Sequence, residues 1–354
     1  MATFNYQDNN YNGEFLEDLL TYTAQGNETY KEGLIHIKSG IQHKYTLPLV
    51  TLGRIVQDHV ATPAAATGNN LSTDSVGQYD FSERFLEPQD FMIYFEFNPR
   101  DFEEYYKPFQ PHGNLVFREL DPKIQATMVR LLMQNKDEYI DSAIWCSQKG
   151  GNDESKVKTP TGTGYVKIGD DHAYGPQKYF DGAINRILRN AGGFDGAKDV
   201  NKAQITGSTA LTTGAQVEQA LYATWKAMPT KLRKKQGMVI LMDQESWDLY
   251  DQELTSRTVK YTDNTTENSL KFRGKKIIPM SPLPKDTIIF GEFSTSMNSN
   301  LWMGVDYAND ENVLQIDKLQ NNSELYFFKM ILKMDVNIVR PGEIFIWTSY
   351  TALA

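Results

Sequence analysis

One cysteine, Cys146, stands in a chain of 354 residues, which excludes an intramolecular disulfide framework. Five histidines and that single thiol leave little material for a nucleophilic triad or a Cys/His metal cage. No stretch reaches the roughly 18 uninterrupted apolar residues that a bilayer crossing needs. The first residues, MATFNYQDNNYNGEF, lack both a basic start and an apolar core. No cleaved signal is therefore expected, and the chain is expected to be soluble, without a membrane partner. Positive charge is short as well: 36 Lys and Arg against 45 Asp and Glu leave a net charge of −9. That argues against a dedicated nucleic-acid binder, which needs clustered cations to neutralise phosphates.

What is present is apolar and aromatic. With 18 Phe, 19 Tyr, 5 Trp and 40% hydrophobic residues the chain can bury a sizeable core, and its length implies two or three domains. Residues 1 to about 32 are polar, broken only by Phe15, Leu16, Leu19 and Leu20, and read as an arm that orders by lying on something else. Leu34–Ile37 and Tyr45–Val50 are short apolar stretches, and Ala61–Gly68 is a low-complexity linker. Phe91, Ile93, Phe95 and Phe97 share one face at period two, and Phe81–Phe85 reads as their hairpin partner. Asn98-Pro99 starts a short helix.

Asp121-Pro122 opens the longest predicted helix, with Ile124, Met128, Leu131, Leu132, Tyr139, Ala143 and Ile144 on one stripe, ending near Cys146. Cys146 thus reads as a buried structural thiol. Residues 149–175 read as loop, and a helix follows from about Gln177, stopped by Gly192-Gly193. Thr213-x-x-Gln216 is a capping box before Val217, Ala220, Leu221, Trp225 and Met228, and Pro229 closes that helix. Met238–Met242 reads as a buried strand, Asp243 as the cap of a helix carrying Trp247, Tyr250 and Leu254, and 276–280 and 287–290 as short strands. From Tyr326 to Ile338 every even position is apolar, with Lys329, Lys333, Asp335 and Asn337 on a face that is wet or meets a partner. Pro341-Gly342 turns the chain into a second strand through Trp347.

Chemistry is scarce. Thr161-Gly162-Thr163-Gly164 lacks the Gly-Lys-Ser/Thr ending of a phosphate loop and reads as a turn. Asp170, Asp171 and His172 are adjacent, so they point apart, and no second ligand pair sits at helical or hairpin spacing. Glu103-Glu104 and Asp137-Glu138 read as solvated helix faces. Two basic clusters, Lys231–Lys235 and Lys271–Lys276, read most plainly as solvated loops, with contact to packaged nucleic acid or to a neighbouring acidic subunit as the alternative, and no aromatic interleaving suggests specific strand recognition. No catalytic, cofactor or metal residue is assigned, and the chain is not expected to be an enzyme.

The order of these parts resembles the major capsid proteins of tailed bacteriophages, a fold shared with encapsulins and herpesvirus capsid floors. Tyr45-Thr-Leu-Pro-Leu-Val resembles the stretch after the arm, Phe81 to Phe97 with Asn98–Phe102 the extended loop, and the Asp121–Cys146 helix the spine. Tyr179-Phe-Asp-Gly-Ala-Ile-Asn-Arg-Ile-Leu resembles the start of the axial domain, Asp243–Tyr250 its core, and Phe272–Met280, Asn300–Asp306 and Phe328–Trp347 its closing sheet.

The resemblance implies an α+β fold with an N-terminal arm (1–32), an arm return and linker (33–74), an extended loop hairpin and short helix (75–115), a peripheral spine helix and loop (116–178), an axial α/β domain (179–300) and closing peripheral and axial strands (301–354). It implies a shell assembled from hexamers and pentamers of the chain around double-stranded DNA, built in the host bacterial cytoplasm, with scaffolding, portal and decoration proteins as partners. Two other readings are an encapsulin-type nanocompartment shell and an α/β enzyme using Asp170, Asp171 and His172.

Overall fold

A computed structural model describes residues 27–52, 56, 58–59, 79–98, 122–149, 157–158, 175–189, 191–192, 202–256, 271–306, 314–320 and 325–352. Helices are α1 (Glu28–Lys31), α2 (Pro122–Cys146), α3 (Ala183–Arg189), α4 (Gly214–Ala227), α5 (Thr230–Arg233) and α6 (Gln244–Ser256). The strands begin with β1 (His36–Lys38), β2 (Tyr45–Leu52), β3 (Tyr79–Leu86), β4 (Gln89–Phe97) and β5 (Val157–Lys158). They continue with β6 (Ala191–Gly192), β7 (Ala203–Gly207), β8 (Met238–Asp243), β9 (Lys271–Phe272), β10 (Lys275–Met280) and β11 (Ile288–Glu292). The last are β12 (Leu301–Val305), β13 (Leu314–Lys318), β14 (Tyr326–Ile338), β15 (Phe345–Trp347) and β16 (Thr351–Ala352).

β14 organises the first sheet because its alternation is unbroken. Phe328, Met330, Leu332, Met334, Val336 and Ile338 are all buried on one face. One edge of β14 carries β12 and β13 in succession, the other carries β4, and β1 adds to β12 in parallel. The second sheet runs β6-β7-β15-β11-β8-β10-β9, with α4 and α6 packed together beside it. Leu241 and Ile289 face a core shared with α2, α3 and the first sheet, whereas Ile240, Met242 and Phe290 face the α4–α6 core. The local signals formed as expected: Gln216 N donates to Thr213 Oγ1 at 3.4 Å while Gln216 Oε1 accepts from Thr213 N at 3.2 Å. Asp243 Oδ2 accepts from Ser246 N at 3.0 Å at the start of α6.

Strand partners differ from the sequence expectation. Phe81–Phe85 does not pair with Phe91–Phe97: β3 pairs with β2 over eight residues in a two-stranded sheet of its own, and β4 pairs with β14. The two residues between them, Glu87 and Pro88, would suffice for a hairpin in number, but Glu87 is not in the positive-φ region that such a turn needs and Pro88 fixes the backbone after it, so the chain changes sheets there. The strand after Pro341 likewise leaves β14 and joins β11 and β7. The helix expected from Gln177 begins at Ala183, since residues 177–182 are occupied in receiving the end of α2. Gly192 lies in β6 and does not cap that helix. Leu131, assigned to the buried stripe of α2, is 55% exposed. The arm up to residue 26, the 61–68 linker and the Asn98-Pro99 helix fall outside the described residues apart from Asn98.

Candidate functional site

The β2–β3 ribbon is about 27 Å long at 3.4 Å per residue. Two antiparallel strands without a third are marginal in water, so a ribbon of this length depends on its root and on whatever covers it. At the root Ile41, Leu47, Leu86 and Trp302 form a small buried cluster of their own. Asp335 then fastens the step from ribbon to sheet: its carboxylate accepts from Glu87 N at 2.8 Å and from Arg186 Nη2 at 2.7 Å. Asn337 Nδ2 donates to Phe85 O at 2.6 Å. Asp335 and Asn337, expected on a wet or partner-facing side of β14, are therefore buried under β3 and α3. Burial raises the Asp335 carboxyl above its usual value, opposed by the neighbouring Arg186 charge. A cleft of about 260 Å³ opens here, between Phe85, Glu87, Phe180, Asp181 and Arg186.

The end of α2 is the second joint. Asn185 Nδ2 donates to the free carbonyls of Cys146 and Ser147 at 3.2 and 2.7 Å, and Gly182 N donates to Ser147 O at 2.6 Å. Glycine is required at 182 because a Cβ there would lie 2.7 Å from the Trp145 carbonyl. The third joint holds the root of the arm. Asp141, on α2, accepts from Glu28 N at 2.9 Å, from Thr29 N at 3.3 Å and from the Thr29 hydroxyl, so it caps α1 from outside. Trp145 Nε1 donates to Thr29 Oγ1 at 2.9 Å, and α1 reaches the second sheet where Glu28 Oε2 accepts from Ser281 N and Glu32 pairs with Lys276. Burial pushes the Asp141 carboxyl up to about 6, against three hydrogen bonds that favour its charged form.

This architecture was compared with known proteins. A chain of the satellite phage P4 procapsid that includes the size determination (Sid) protein superposes with a TM-score of 0.57 at 9% identity, over 97% of this chain and 93% of that one. The capsid of an empty GTA particle gives 0.54 at 8% identity over 98% and 94%, and that of a native GTA particle 0.50 at 10% over the same shares. The chain has the phage major capsid fold. No family model matches it, and no curated protein matches its sequence.

The Tyr179–Leu188 segment receives the end of α2 and reaches β14, and Gly182, Asn185 and Arg186 are the residues that make those contacts. Cys146 is buried and its thiol is pushed up to about 12 by burial, which suits a packing residue and not a nucleophile. Asp137 is not the solvated residue expected: it is half-buried against Lys136, whose ammonium is 3.5 Å away and lowered to about 8 by burial. Thr161–Gly164, Asp170, Asp171, His172 and Glu103-Glu104 lie outside the described residues. Among the described residues no group of three His, Cys, Asp or Glu could hold a metal, and no helix is long and apolar enough to cross a membrane.

Two surfaces that the sequence showed only in part take shape in the structure. On the outward face of β4 and β14, Met92 and Tyr94 are exposed, with Tyr94 against Phe327. Their strand alternates aromatics inward, and its other face is also partly apolar. The two basic clusters, 40 residues apart in the chain, meet around Trp225 and Tyr222 of α4. Arg233 lies over Trp225 at 5.9 Å and Arg273 over Tyr222 at 4.9 Å. The aromatic interleaving absent from the sequence is present in space.

Proposed function

We propose that the chain is the major capsid protein of a tailed bacteriophage, a structural subunit without catalytic function that assembles into an icosahedral shell around double-stranded DNA. The observation that carries this is the eight-residue β2–β3 ribbon, a two-stranded sheet of its own held at its root within the capsid fold by Ile41, Leu47, Leu86 and Trp302. A two-stranded ribbon is marginal in water, and one covered by neighbouring subunits couples its folding energy to assembly. Repeated heterologous contacts of that kind close into rings and shells, and many modest contacts together resist dissolution. In this reading residues 1–32 are the arm, 33–74 its return, 75–115 the extended loop, 116–178 the peripheral spine, 179–300 the axial domain and 301–354 the closing strands. Partners are other copies as hexamers and pentamers, scaffolding, portal and decoration proteins, and packaged DNA in non-specific contact. The place of assembly is the host cytoplasm and the final location the virion.

Negative-stain electron microscopy with light scattering on the expressed protein tests the reading. Closed shells tens of nanometres across are expected. Chains that remain monomeric even with a scaffolding protein would refute it. Shells carrying a cargo enzyme instead of DNA would point to an encapsulin-type compartment.

A further inference from the structure

The axial domain is electrically polar along α4. At the C-terminal end of that helix, Lys226, Lys231, Lys234, Lys271 and Arg273 are exposed, and none has an acidic partner among the described residues. Arg233 is turned inward by comparison, donating to Met228 O and Lys226 O at 2.8 Å each. Arg273 occupies a two-residue turn between β9 and β10 with φ +49°, before Gly274 at φ +80°. Such turns favour Asn, Asp or Gly at the first position, so an arginine is held there at a conformational cost. Its guanidinium stacks on Tyr222, with its N–H groups given to no acceptor in the described structure.

The opposite end is acidic. α6 carries Glu245, Asp248, Asp251 and Glu253 and no Lys or Arg. Lys285 neutralises Glu245 at 2.6 Å, while Asp248, Asp251 and Glu253 have no cation beside them among the described residues. Gly214, the first residue of α4, lies against Glu253 and Leu249, which puts this acidic helix at the N-terminal end of α4. Fourteen residues at 1.5 Å separate the two ends by about 20 Å, roughly two and a half times the screening length of about 8 Å at physiological salt. The two poles therefore do not neutralise one another within a subunit.

We infer that the Arg273 patch binds the α6 face of a second copy of this chain, head to tail. A two-fold axis through either pole would set like charge against like, whereas a heterologous contact joins a basic pole to an acidic one in every copy, and repeated rotation closes it into a ring. The inference rests on the shell reading and adds the partner, the polarity and the residues. The wild-type chain is compared with Lys234→Glu/Arg273→Asp and with that pair combined with Asp248→Lys/Asp251→Lys, with circular dichroism and melting as controls for folding. Assembly is followed by light scattering and electron microscopy at about 0.15 M salt. The first variant is expected to melt like the wild type and to need about ten times the concentration to assemble. The second, with both poles reversed, is expected to regain assembly. Unchanged assembly of the first variant would mean that the lysines only guard the sheet edge, and would overturn the inference while leaving the shell reading intact. So would failure of the second to regain assembly, or capture of duplex DNA by the wild-type subunit that the first variant loses. A wild-type chain that never assembles, even with a scaffolding protein, would remove both readings.

Discussion

Asp141 is 6% exposed, carries its carboxylate into the joint between α1 and α2, and has no cation beside it to offset the loss of water. Its proton is held more tightly in the folded protein than in the unfolded chain, with the carboxyl raised from 3.8 to about 6. The stability supplied by this group is therefore complete below about pH 3.8 and is lost as pH rises through about 6. A shift of about two units corresponds to roughly 3 kcal/mol. Asp141→Asn keeps the shape and one carbonyl acceptor for the α1 amides but does not titrate. The stability difference between wild type and this variant is expected to change by about 2.5 kcal/mol between about pH 4 and pH 7.5, the wild type gaining at the acid end. Urea unfolding of the unassembled subunit at the two pH values measures it. Asp137, Asp243 and Asp335 are also raised by burial, but they titrate in both proteins and cancel in the difference. A difference that stays flat with pH, or that moves the other way, would refute the assignment of a buried ionised carboxylate to the arm root.

Three further outcomes follow from the joints. Asp335→Ala leaves the Arg186 guanidinium and Glu87 N without their acceptor and is expected to cost about 3–5 kcal/mol in chemical unfolding, whereas Arg186→Met/Asp335→Leu together cost less than that single change. Equal or additive losses would count against a coupled pair. Gly182→Ala drives a methyl into the Trp145 carbonyl and is expected to lose about 2 kcal/mol or more, seen as a fall of several degrees in melting temperature. An unchanged melting temperature would show that the helix end is not the tight joint described. Cys146 should resist a thiol reagent at about pH 8 in the native subunit and react fully once unfolded. Rapid native labelling would contradict its burial.

Local features were legible wherever a short-range rule acts by itself. The capping box at Thr213, the Asp243 cap, the Pro122–Cys146 helix and the alternation of β14 depend on neighbours three or four residues away, or on period two. Pairing depends on distant chain, and there the reading from sequence failed: Phe81–Phe85 has the pattern of a strand, but nothing in that pattern distinguishes β2 from β4 as its partner. Asp335 and Asn337 look like solvent residues because their local strand is amphipathic. Only the passage of β3 and α3 over them supplies Arg186, Glu87 N and Phe85 O.

By itself the sequence determined the type of its long, periodic elements, the caps at Thr213 and Asp243, and that the chain has a large apolar content, a net negative charge and no intramolecular disulfide, because propensity, capping and periodicity are local and summed composition needs no coordinates. Tertiary structure alone decided which strands share a sheet, why Gly182 and Asn185 stand where they do, and that two basic clusters converge on Trp225 opposite an acidic helix. Those are consequences of loop closure over tens of residues, where the free energy is settled by packing and charge between surfaces that no window along the chain contains together.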